Sequence, residues 1–221
     1  MEKFLGWVIP LEKQLLEACK HGKVDEVKKL LLNENINVNA KDENYDGYTP
    51  LIRACIFGHA DIVELLLKDS RVNINEGDKY ERTAFSYACE SGQVDIVKLM
   101  LADDKIDVNK ANNRGWTPLM KACGNGNIEI VQYILASGKE VNINAKNMVG
   151  KTAANLAKKA NKSSIGKLLE TYEKHPSETR DRLRKQLGVE NFPTVEELEE
   201  KSMLRLREEE AIIEKKHLGN L

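Results

Sequence analysis

Apolar residues return along this chain in two alternating patterns. One is the set Ile62, Val63, Leu66 and Leu67, repeated as Ile96, Val97, Met100 and Leu101 and as Ile130, Val131, Ile134 and Leu135. Its spacing is that of a helix buried on one side. The other pattern precedes it each time: Thr49-Pro50-Leu51-Ile52-Arg53-Ala54-Cys55, then Thr83-Ala84-Phe85-Ser86-Tyr87-Ala88-Cys89, then Thr117-Pro118-Leu119-Met120-Lys121-Ala122-Cys123. Between the two patterns stand Gly22, Gly58, Gly92 and Gly126, stepping by 36, 34 and 34 residues. The sequence therefore predicts pairs of short antiparallel helices joined by polar fingers. Neither helix has enough apolar surface to stand alone, so the units must stack into a solenoid.

Local chemistry agrees with that periodicity. Thr49, Thr83, Thr117 and Thr152 sit where a helix N-cap belongs, their hydroxyls placed to accept unpaired backbone N–H groups. Pro50 and Pro118 follow at the first helical position, where a missing N–H costs nothing. The glycines close the inner helices, and Asn161 takes that position in the fifth unit, where a left-handed residue is needed. The segment Leu15 to Gly22 reads as a first inner helix without its Thr-Pro start, and Asn161 to Lys167 make the last outer helix polar. Both are what end units require, since one face must meet water.

These residues resemble the ankyrin repeat family, whose units read Gly-x-Thr-Pro-Leu-x-x-Ala-(Ala/Cys), then Gly-His-x-x-Ile-Val-x-Leu-Leu-Leu, then Val-Asn. Gly58-His59-Ala60-Asp61-Ile62-Val63-Glu64-Leu65-Leu66-Leu67 carries the second element, and Val38-Asn39, Ile74-Asn75, Val108-Asn109 and Ile143-Asn144 the third. The resemblance covers about residues 13 to 172 and implies an all-α, ankyrin-repeat α-solenoid of about five helix-turn-helix units with short β-turn fingers. The expected division is a lead-in over 1–12, an array over 13–174 and a charged helical C-terminal extension over 175–221. Units fall at about 13–42, 43–78, 79–112, 113–147 and 148–174, and Trp7 and Val8 are expected to cover the exposed end of the first. The sequence departs from the family pattern at several points. Ile52, Ser86 and Met120 stand where the family has His, losing its bond to the next unit, and Glu81 replaces a finger glycine, which argues against a tight turn there. The first finger is two residues longer than the others.

Net charge is −1, which gives no polyanion-binding stripe and argues against a nucleic-acid partner. No apolar run reaches the ~18 residues of a membrane span, so no membrane partner is expected. Cys19, Cys55, Cys89 and Cys123 share one repeat position and predict a buried row of free thiols, with no metal-ligand spacing. Free thiols imply a reducing compartment, the cytosol or the nucleus.

Candidate chemistry dissolves on inspection. Ala145 to Thr152 nearly spells a phosphate loop, but it lacks the first glycine and a preceding strand, and Gly150-Lys151-Thr152 is the repeat's own Gly-x-Thr. His21 and His59 sit at consensus positions beside the glycines, so a Cys-His nucleophile is not indicated. No catalytic residue, cofactor or metal is expected. The basic run Arg180 to Lys185 reads as a solvated helix face.

The family resemblance implies a protein partner held by finger tips and the concave inner helices. Its variable positions here are Tyr45, Tyr48, Arg53, Phe57, Lys79, Tyr80, Arg82, Tyr87, Arg114, Trp116, Lys121 and Met148. Six of the chain's 12 aromatic residues fall on this one face, interspersed with cations, and Tyr, Trp and Arg are the types that anchor interfaces. The expected partner carries an apolar or aromatic anchor flanked by acidic groups. An alternative is a structural scaffold that associates with itself through a helix over Val195 to His217, which opens on a Thr-x-x-Glu capping signature.

Overall fold

The computed structural model describes residues 9–189. The lead-in residues Trp7 and Val8 and the Val195–His217 helix expected from the sequence lie outside the described residues. Five helices form an inner layer: α1 (Leu11–Lys20), α3 (Pro50–Phe57), α5 (Ala84–Ser91), α7 (Pro118–Asn125) and α9 (Ala153–Lys159). Each is followed by an outer partner: α2 (Val24–Leu31), α4 (Ala60–Lys68), α6 (Val94–Ala102), α8 (Ile128–Ala136) and α10 (Ser163–Lys174). A last helix, α11 (Pro176–Leu187), crosses the outer layer. Among the described residues there is no strand, only isolated antiparallel bridges Asp42–Tyr48 and Gly77–Thr83 at finger bases. The fold is an all-α repeat solenoid.

The helix ends follow from the residues placed there. Thr49, Thr83 and Thr117 each accept the N–H three residues on at 3.2 Å, from Ile52, Ser86 and Met120. Thr152 completes a reciprocal pair with Asn155. Gly58, Gly92 and Gly126 close α3, α5 and α7 with φ between 75° and 81°, and Asn161 takes φ 56° in the fifth unit. Glu81 corrects an expectation: it adopts φ 61° and keeps the tight turn, with its N–H on the Asp78 carbonyl at 2.9 Å. That backbone costs a non-glycine residue about 1–2 kcal/mol, against about 0.4–1 kcal/mol of unfolded-chain entropy. Glu81→Gly is therefore expected to stabilise the protein by roughly 0.5–1 kcal/mol; a urea midpoint that falls instead would contradict this.

One continuous spine runs between the layers. Leu15, Ile52, Phe85 and Met120 are buried toward the inner side, Ile62, Leu66, Ile96, Met100, Ile130 and Ile134 toward the outer. The four cysteines are free and buried along it, with Cys55 Sγ 4.0 Å from Met100 Sδ. Burial pushes the Cys19 and Cys123 thiols up to about 12. Ile52, Ser86 and Met120, at the three equivalent positions after the capping threonines, are themselves buried.

Neighbouring units are coupled by short polar side chains in register. Asn39, Asn75 and Asn109 each donate to a carbonyl of the next unit at 2.7 Å, reaching Arg71, Lys105 and Glu140, and accept its N–H from Asn73, Asp107 and Asn142. His59 Nε2 lies 3.0 Å from the Lys20 carbonyl, beneath Gly22, where a Cβ would stand 2.8 Å from the ring. Helix α11 packs on α8 and α10, burying Thr179 and Leu183. Arg184, in the run read as a solvated face, donates to the Ala136 carbonyl at the end of α8 at 2.8 Å.

Candidate functional site

The fingers are held from below by one recurring residue. Asp78 Oδ1 accepts the N–H groups of Tyr80 and Arg82, at 2.8 and 3.0 Å. Asn112 accepts those of Arg114 and Trp116, and Asn147 those of Val149 and Lys151. In the longer first finger Asp42 accepts from Asn44. Successive tips are then stapled through the backbone: Lys79 N–H donates to the Asp46 carbonyl at 2.9 Å, Asn113 to Tyr80 and Met148 to Arg114, both at 3.0 Å. The finger row is thus a single braced rim above the inner helices.

The second carboxylate oxygen of each finger-base acid faces the inner helix, at the position four residues after the capping threonine. That position is Arg53 in α3 and Tyr87 in α5. Arg53 ion-pairs with Asp42, donates to Glu17 Oε1 at 2.8 Å and to the Leu16 carbonyl at 3.3 Å. Tyr87 donates its hydroxyl to Asp78 Oδ2 at 3.0 Å. Arg53 is 2% exposed and Tyr87 9%, which corrects the expectation that both present themselves on the surface. A carboxylate at the finger base captures these side chains, because a buried anion needs a partner. Burial, then bonding with Tyr48 and Asp78, pushes the Tyr87 phenol well above its ordinary value, so it stays a donor.

The remaining rings stay in contact with water. Tyr45 is 53% exposed, its face shared by Lys20 at 5.5 Å and Arg53 at 5.1 Å. Phe57 is 50% exposed and stacks on His59. Tyr48 is half-buried and meets Tyr87 edge-on at 5.6 Å. Arg82 lies 4.8 Å from the Tyr80 ring and is fixed by Asp78 Oδ2 at 2.6 Å and Asp46 at 3.2 Å. Lys79 ion-pairs with Asp46, which is held below the ordinary carboxylate value by that bond first and by Arg82 second. Lys121 covers Trp116 at 5.2 Å and pairs with Glu90 at 2.9 Å.

Three hollows line up along this face. The first, about 320 Å³, lies between α3 and α5 under Tyr45 and Tyr48, with Ile56, Phe57 and Ser91 in its wall. The second, about 470 Å³, is enclosed by Tyr80, Arg82, Arg114, Trp116 and Lys121. The third, about 360 Å³, lies between α7 and α9 on Met120, Gly124, Leu156 and Lys159. Glu90 borders the first and third, Trp116 and Lys121 the second and third, so the hollows form one groove. Met148 lines none of them and stands on the last finger, 77% exposed.

Sequence reasoning missed Lys20, Leu156 and Lys159, which belong to the end units. A signal existed: Lys20, Ile56, Glu90, Gly124 and Lys159 all stand two residues before the unit's closing glycine or asparagine. Among the described residues no cluster of His, Cys, Asp and Glu could hold a metal ion, and no helix is long and apolar enough to cross a membrane.

Comparison with known families adds the last observation. The family model for ankyrin repeats, written for three copies, matches residues 15–112 and again residues 106–179. No curated protein matches the chain.

Proposed function

The chain belongs to the ankyrin repeat family, whose members generally serve as protein-protein interaction modules, and from that premise we propose that its concave groove is a non-catalytic recognition surface for a partner protein. One observation carries the proposal. The core closes beneath the groove, yet Tyr45, Phe57, Tyr80 and Trp116 are left partly in water, and all but Phe57 lie beside cations fixed by ion pairs. Ring surface left in water is available to a ligand, and the cations beside it are already ordered, which lowers the entropy cost of binding.

The partner this surface suits has an apolar or aromatic anchor flanked by carboxylates. Trp116 borders two of the three hollows and is the expected anchor point. Selection of a displayed random-peptide library on the purified protein should return groove binders, and Trp116→Ala should weaken them by about 2 kcal/mol, roughly thirtyfold. An unchanged dissociation constant, with the helical signal intact, would remove the groove as the site.

A further inference from the structure

We propose that the groove takes an extended acidic segment of a partner chain bearing two apolar anchors five to six residues apart. This rests on the recognition reading above and deepens it by fixing the pattern of the partner.

Polarity along the groove is not uniform. The first hollow has Tyr45, Tyr48, Ile56 and Phe57 as its apolar wall, with Lys20 and Glu90 also in the lining, and the third has Met120, Leu156 and Ala160, with Glu90, Lys121 and Lys159 also in the lining. Both suit an apolar side chain. Beside them, under the fingers, a strip is polar and cationic, with Arg82, Arg114 and Lys121 around Asn112 and Asn113. The groove's two carboxylates are already taken, Asp46 by Lys79 and Arg82, Glu90 by Lys121. Arg114, in the strip, and Lys20 and Lys159, in the first and third hollows, have no ion-pair partner among the described residues. The charge left unmatched in the groove is positive, and carboxylates on the bound segment would match it.

The spacing follows from the stack. Packed helices lie about 8–10 Å apart. The first hollow sits between α3 and α5 and the third between α7 and α9, two inner-helix steps further on. That places the anchors roughly 16–20 Å apart, which an extended chain covers in five to six residues at about 3.3–3.6 Å each. A helix would need about 11–13 residues at 1.5 Å and is about 10–12 Å across. Hollows of this volume accept side chains rather than a whole helix. Asn113, exposed on the strip, offers a side-chain amide to the backbone of an extended ligand.

The test uses fluorescein-labelled synthetic peptides with a phenylalanine and a leucine separated by three, five, six, nine or twelve positions, glutamates filling the interval, read by fluorescence anisotropy. The five- and six-residue spacings should bind at least tenfold more tightly than the three- and twelve-residue ones. Replacing the glutamates by lysines should cost tenfold or more on the native protein, and Arg114→Glu should shrink that preference. Phe57→Ala and Leu156→Ala, both on partly exposed side chains, should each abolish the benefit of one anchor, shown with peptides lacking the other. Affinity that ignores spacing, an optimum at eleven to thirteen, equal binding of the lysine series or no binding at all would overturn the proposal. Spacing-independent binding that Trp116→Ala still weakens would leave the recognition groove standing while this pattern falls. Binding that is indifferent to Trp116→Ala would sink both.

Discussion

Arg53→Ala is expected to lower the unfolding free energy by about 3–5 kcal/mol, the usual loss when one member of a buried charge pair is removed. The side chain is almost wholly enclosed, and its removal leaves the Asp42 carboxylate under the first finger without its cation. Glu17 is the smaller part of the loss, because it keeps substantial contact with water. The register of the repeat supplies the rescue. In the fifth unit the same two positions hold Asn147 and Leu156, an amide over an apolar side chain. The double variant Asp42→Asn/Arg53→Leu should therefore recover most of the stability, giving a large coupling energy between the two sites. Additive losses would show that the pair is not the source.

A pH dependence accompanies this contact. The Arg53 hydrogen bond, ahead of its charge, holds the Glu17 carboxyl below its ordinary 4.5. A depressed folded-state value stabilises above the unfolded value and is lost as pH falls through the folded one. Thermal stability of the native protein should thus drop below about pH 4.5 more steeply than that of Arg53→Leu. Parallel curves for the two proteins would rule out a contribution from Glu17.

Phe85→Ala should cost a comparable 3–5 kcal/mol, for a different reason. Phe85 is fully buried in the third of five units, on the helix that stacks against both α3 and α5's other neighbour α7. Its equivalents are Leu51, Leu119 and, in the last unit, Ala154. Truncation opens a cavity at the centre of a linear stack, where two interfaces share one side chain and no other part of the chain can close over it. Chemical denaturation should show the lower midpoint and a broader transition, as units on either side come apart more independently. A loss under about 1 kcal/mol would mean the site collapses around the gap.

Much of the fold was legible because it is local. The spacing of Ile62, Val63 and Leu66 names a helix face, Thr49 and Gly58 name the ends of another, and recurrence at 34 residues orders the units. None of these inferences needs a contact between distant parts of the chain. Glu81 was misjudged because the turn is imposed by the Asp78 acceptor and the Asn113–Tyr80 backbone bond, which together hold a residue in a backbone it would otherwise avoid.

The candidate surface was legible only in part. Position in the repeat identifies which residues lie on the finger and inner-helix side, and Tyr45, Phe57 and Trp116 are on it. Position does not say which of them a neighbour captures. Arg53 and Tyr87 stand at a variable position and were expected to point outward, but Asp42 and Asp78 draw them in. Leu156 and Lys159 went unnoticed because the fifth unit was read as a cap, while the third hollow forms between it and α7.

By itself the sequence determined the repeat, the helix ends marked by threonine and glycine, and the buried cysteine row, since each is written in short local patterns that recur from unit to unit. Only the tertiary structure decided which side chains on the concave face remain free, that the hollows join into one groove, and that Arg184 ties α11 to α8. Those depend on charges and backbone acceptors brought together from different units, and a buried carboxylate or an open carbonyl captures whatever donor the packing places beside it.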